Sequence, residues 1–197
     1  KIKTLAGTIL LVAVLAVILI ASGRHAILNI NETSYKIIKQ KSLEARRHEL
    51  KSQVDVALGI LASVYREAQL SGTDSEVAKK RAVALLRPVR FFENKSGYYM
   101  IHALSGNRAT GVLIPVMTEI EGVDITNLKD STGKLFVQDF IKAARSGGGF
   151  VAYDFPKTES APPLPKLTYI GHFAPWDWEV GAGVYTDDIE AEAAMMR

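Results

Sequence analysis

Tyr99, Tyr153, Tyr169, Lys166, Arg87 and Arg90 are side chains whose types fit one piece of chemistry, the holding of a small anion out of water. A desolvated carboxylate requires donors that are already oriented, and Tyr hydroxyls, Lys, Arg and backbone N–H groups supply them. Side chains alternate along a strand, so Tyr98 and Tyr99 point to opposite faces and only one meets a given pocket; Tyr99 is the candidate. Tyr153 shares a strand face with Val151 and Phe155, and Tyr169 shares one with Leu167 and Gly171. Lys166, at the start of the same run as Tyr169, is the candidate cation. Arg87 and Arg90 flank Pro88. Under a loop either would hold a carboxylate bidentately, and in solvent each would merely end a helix favourably. Core packing with the hydroxyl at the rim is the second reading of each tyrosine.

Other chemistries find less support. His102 and His172 both end strands, but two histidines without cysteine or a close carboxylate cluster do not make a metal or haem site, so neither metal nor cofactor is expected. Gly147-Gly148-Gly149 lacks the Lys-Ser/Thr of a phosphate loop and reads as a helix-to-strand turn. Trp176 and Trp178 around Asp177 read as packing of a tight turn. No motif supplies a nucleophile with a base and an orienter, so an enzyme is not expected. A membrane-anchored hydrolase and a structural dimerisation module are the rival classes. The net charge of +3 is spread over both signs and gives no clustered basic face for nucleic acid.

The elements that must position these residues begin with a charge-free run, Leu5 to Ala21, inside the uncharged span Thr4–Gly23. About 20 residues of helix cross a hydrocarbon core of about 30 Å, so residues 1–25 are expected to be a transmembrane helix with its flanks. A signal peptide is the alternative, with Lys1 and Lys3 as its basic region and Ala21-Ser22-Gly23 as its cleavage site. From Ile27 to about Leu70 apolar residues recur at steps of three or four, the pattern of a long amphipathic helix. Its charged face, Lys36 to Lys51, reads as solvated, with anionic lipid or a partner helix as the alternative contact. Ser71–Asp74 breaks the helix, and Thr73 or Asp74 caps a second one, Ser75–Leu86, that ends before Pro88. The period then changes to two, and five strands are expected: Tyr98–His102, Thr110–Val116, Phe150–Phe155, Leu167–Phe173 and Glu179–Tyr185. A helix over Gly133–Arg145 separates the second strand from the third. Pro156, Pro162, Pro163 and Pro165 mark a hairpin loop placed to cover a pocket. The last helix, Asp187–Arg197, is capped by Thr186 or Asp187, and residues 190–197 are expected to lead toward a second membrane span.

Gly97–His102, Glu121–Asp124 with Leu128–Asp130 and Gly133-Lys134, Gly147–Tyr153, Pro165–Tyr169 and Pro175–Ile189 together resemble the single Cache sensor domain family. The match runs in order and spacing from about Ile27 to Ile189. The resemblance implies an α+β fold, a PAS-like antiparallel five-stranded sheet backed by the long N-terminal helix, with residues 26–189 as the ligand-binding domain. It implies an extracytoplasmic domain, periplasmic or extracellular, of a receptor in the inner (cell) membrane. Such receptors are most often methyl-accepting chemotaxis proteins, and less often histidine kinases or cyclic-dinucleotide enzymes. Expected partners are a small organic carboxylate, membrane lipid, a second copy of the chain and, through a cytoplasmic module, downstream signalling proteins. One departure is visible: the family commonly places Met-His-Pro after the second strand, whereas this chain reads Leu113-Ile114-Pro115. An imidazole that would donate to a carboxylate is absent there.

Overall fold

The computed structural model describes Ile2–Met195, with the side chains of 2–14, 16–17, 26–31 and 192 outside the description. The elements in chain order are α1 (Ile2–Ser71), α2 (Ser75–Leu86), β1 (Tyr99–Ser105), β2 (Arg108–Leu113), α3 (Phe136–Arg145), β3 (Gly149–Pro156), β4 (Pro163–Phe173), β5 (Trp178–Tyr185) and α4 (Thr186–Met195). The strands form one antiparallel sheet in the order β2-β1-β5-β4-β3, so the last strand lies in the middle. Among the residues whose side chains are described, no helix is long and apolar enough to cross a membrane. Most of Leu5–Ala21, on which the membrane-span expectation falls, lies outside those side chains.

Both faces of the sheet are covered, and two cores result. On one face Leu50, Val54, Ala57, Leu61, Val64 and Ala68 of α1 repeat at three- and four-residue steps and pack on Tyr99, Ile101, Val180, Ala182 and Val184. Ala78, Ala82 and Leu86 of α2 complete that core, and the Asp74 carboxylate caps α2 by accepting from the Glu76 and Val77 N–H groups at 2.8 and 3.2 Å. On the other face α3 lays Phe136, Val137, Phe140, Ile141 and Ala144 against Met100, Val151, Tyr153, Phe155 and Ile170. The segment between β2 and α3 adds Ile114, Ile125 and Leu128 to this cover.

The expected elements are all present, and their ends differ where the chain turns. β2 stops at Leu113 instead of Val116, because Pro115 cannot donate to the ladder. The expected 156–165 loop shrinks to residues 157–162: Pro156 pairs with Pro163, and Asp154 with Pro165. Proline is tolerated there because β4 overhangs β5, whose pairing begins only at Lys166↔Tyr185, leaving an open edge. The amphipathic helix continues without interruption from the N-terminal run, as its sequence pattern predicts; α1 runs through as one element.

Candidate functional site

β5 carries Gly181 and Gly183 on the α3-facing side. A side chain at Gly183 would come within 2.7 Å of Lys166 Cε, and one at Gly181 within 2.5 Å of Met100 Cε. This missing bulk lets the Lys166 side chain pass from β4 across β5 toward the start of β1. There Nζ donates to the Tyr98 hydroxyl at 2.5 Å. It also sits 4.3, 4.8 and 5.2 Å from the ring centres of Tyr98, Tyr185 and Phe155.

Lys166 is 2% exposed, and no carboxylate offsets its charge among the described residues. Burial alone pushes its ammonium down to about 7. The same burial raises the phenols around it: Tyr185 is pushed up to about 12, and Tyr98 and Tyr153 are raised as well, so all stay protonated at neutral pH. The Tyr185 hydroxyl donates to the Pro156 carbonyl at 2.7 Å. The Thr168 hydroxyl donates to the Tyr153 oxygen at 3.2 Å, while the Tyr153 ring stacks on Phe136 at 4.5 Å. The arrangement is a buried, unpaired cation set among aromatic rings and hydroxyls, able to receive one small anion.

Four residues further along the same face lies a second buried polar pair. His102 of β1 and Glu179 of β5 are register partners, with Nδ1 2.9 Å from Oε1. Their side chains are 4% and 0% exposed, and Glu179 Oε2 has no hydrogen-bond partner among the described residues. Phe140 stacks on the His102 ring. Met100, His102, Ile114, Phe136, Phe140 and Tyr153 border a small chamber of about 10 Å³. A wider groove of about 380 Å³ opens along edge strand β3, between Leu43 and Arg47 of α1 and the turn at Asp130–Lys134, with Tyr153 and Lys166 among its lining.

The structure brings Lys166 and Tyr153 together and places the other four candidates elsewhere. Tyr99 faces α1, where its hydroxyl donates to Gln53 Oε1 at 2.7 Å; its neighbour Tyr98 takes the Lys166 side. Tyr169 lies three residues from Lys166, hence on the opposite face, with its ring against Phe150. Arg87 donates to Glu121 Oε2 at 2.7 Å, and Glu121 Oε1 accepts the Ile114 N–H at 2.7 Å, so this arginine braces the segment that covers the site. Arg90 donates to the carbonyls of Arg87 and Val89 at 2.9 and 2.8 Å, and its charge is felt only weakly at Tyr98. Thr168, Tyr185 and the His102–Glu179 pair escaped the sequence reading; Thr168 alone was accessible, since it stands two residues from Lys166. His172 is drawn to Asp177, which also receives Arg145, so these three fix the β4–β5 turn. Near the site, Lys157 donates to Asp187 and Asp188 at 2.8 and 2.9 Å and ties the β3–β4 loop to the start of α4.

The family profile of the Cache domain matches residues 24–196 of this chain. Among its relatives, the sensor histidine kinase MctS of Rhizobium johnstonii is 27% identical over 194 residues, which is 98% of this chain and 40% of the relative. The methyl-accepting chemotaxis protein McpP of Pseudomonas putida is 30% identical over 153 residues, 77% of this chain and 27% of the relative. The chain thus spans less than half the length of either curated relative. A solved periplasmic sensor domain of a chemotaxis protein superposes with a TM-score of 0.67 at 30% identity, covering 73% of this chain and 96% of its own. A Cache chemosensory domain solved for its carboxylic acid recognition gives 0.65 at 28% identity, covering 74% and 97%.

Proposed function

The chain belongs to the Cache domain family, and we propose that it is the sensing domain of a membrane receptor, binding a short organic carboxylate at Lys166. The observation that carries this reading is a 2%-exposed ammonium with no carboxylate against it, held by Tyr98 and enclosed by three rings. A buried charge without a partner is unfavourable, and a bound carboxylate supplies both the countercharge and acceptors for the remaining N–H groups. The neighbour solved for its carboxylic acid recognition supports the ligand class. Residues 26–189 are then the ligand-binding domain and act in the periplasm. The uncharged run Leu5–Ala21 supports residues 1–25 as an inner-membrane anchor, and residues 190–197 would lead to a second span. The host is a chemoreceptor; a histidine kinase is the alternative, favoured by a match over 98% of this chain. Calorimetric titration of the detergent-solubilised chain with acetate, propionate, lactate and pyruvate tests the site. Binding of at least one of them that is lost in Lys166→Met is expected, and a wild-type chain that binds no carboxylate of five carbons or fewer overturns the reading.

A further inference from the structure

We infer that the His102–Glu179 pair is the specificity-determining end of the same site, receiving a hydroxyl at the far end of the carboxylate ligand. This rests on the reading of Lys166 as the carboxylate anchor. Buried side-chain oxygens in folded proteins almost always have a hydrogen-bond partner. Glu179 is 1% exposed, Oε1 is taken by His102, and Oε2 has nothing. That oxygen lies on the Lys166 side of the sheet, because Tyr98 and His102 are four residues apart along one line and side chains alternate. The residue between them on that face is Met100, whose unbranched side chain fills the space above Gly181 and is suited to moving aside.

Length and donor count narrow the ligand. Four strand residues span roughly 13 Å, and hydrogen bonds of about 2.8 Å at each end leave roughly 7 Å for the ligand itself. That is the reach of a five-carbon acid with a terminal hydroxyl. A hydroxyl brings one donor, which matches the one bare oxygen. An ammonium brings three; Met100, Ile114 and Phe140 offer nothing to the other two, and the polar neighbours His102 and Tyr153 are already bonded to Glu179 and Thr168. A methyl end leaves Oε2 as it is.

The test is calorimetric titration of the full chain with pentanoate, 5-hydroxypentanoate and 5-aminopentanoate, in wild type, Glu179→Met and Glu179→Gln. Wild type should favour the hydroxy acid over pentanoate by about tenfold or more, as befits a hydrogen bond to a charged group. Glu179→Met should erase that preference while pentanoate still binds. If that variant does not fold, the near-isosteric Glu179→Gln should cut the preference several-fold. Equal wild-type affinity for the two acids, a preference unchanged in the folded variants, or tightest binding of the amine overturns the inference and leaves Lys166 standing. If none of the three acids nor any shorter carboxylate binds, the Lys166 reading fails and this one with it.

Discussion

Lys166 needs its proton to hold an anion, and burial has brought that proton within reach of neutral pH. Carboxylate affinity should be flat below about pH 7 and fall roughly tenfold per unit above it, with proton uptake on binding visible as a buffer-dependent heat. The sign for the empty domain is opposite. Its folded pKa lies below the unfolded 10.5, so the unfolded chain binds more protons between about 7 and 10.5, and stability rises with pH across that window. Denaturant titrations at pH 6 and 9 check this, and a carboxylate affinity that is level from pH 6 to 9 would falsify the role of the ammonium. Face alternation sorts the tyrosines: Tyr98→Phe removes the acceptor of Lys166 Nζ and should weaken binding about tenfold, whereas Tyr169→Phe should leave it within about threefold. The same two titrations giving equal losses would place the site on the wrong face. Residue types pointed to Lys166 and Tyr153 from sequence. Choosing Tyr99 over Tyr98 was not resolvable that way, because a sheet covered on both faces shows no polar side. Tyr169 is different: its three-residue offset from Lys166 already ruled out a shared face. The pairing of His102 with Glu179 joins strands far apart in the chain and leaves no local signal.

At the scale of elements, periodicity found the helices and the five strands, since a change from 3.6 to 2 is strong over such lengths. It failed at the strand ends, where prolines usually mean loop but here occupy the overhang of β4. Shortening that loop brings Lys157 beside α4, where it contacts Asp187 and Asp188 while Tyr185 of the site donates to Pro156. A movement of Tyr185 or Lys166 on binding therefore has a direct route to α4, and α4 is tied to α1 through Lys39 and Glu190 at 2.6 Å. Lys157 is partly exposed, so its ion pairs contribute only about 0.2–1 kcal/mol to stability. Lys157→Met should accordingly keep ligand affinity within a few-fold. With spin labels at positions 39 and 190, the ligand-induced distance change seen in the otherwise native chain should shrink in this variant. A full-sized change in the variant would send the signal by another route.

For the molecule as a whole, the outer surface of α1 leaves Ile37 and Val56 about half exposed, at 50% and 54%. A second copy meeting this helix would cover the apolar residues left on its solvent side. Ile37→Cys in membranes should crosslink to itself on mild oxidation, and no crosslink at any position from 27 to 45 would remove the dimer. The remaining consequence comes from the continuity of α1. Its contact with the sheet reaches back to Arg47, whose guanidinium lies over the Phe150 ring of β3, and Ile2 lies roughly 70 Å further along the axis at about 1.5 Å per residue. With no break in the 70-residue helix, the shaft acts as a lever whose fulcrum is the sheet. A tilt of about 2° at the fulcrum sweeps the distant end by roughly 2.5 Å over that arm. Mechanical gain of this kind lets a rearrangement too small to disturb the packed core be felt far from it, with the stiffness of the shaft setting how much arrives.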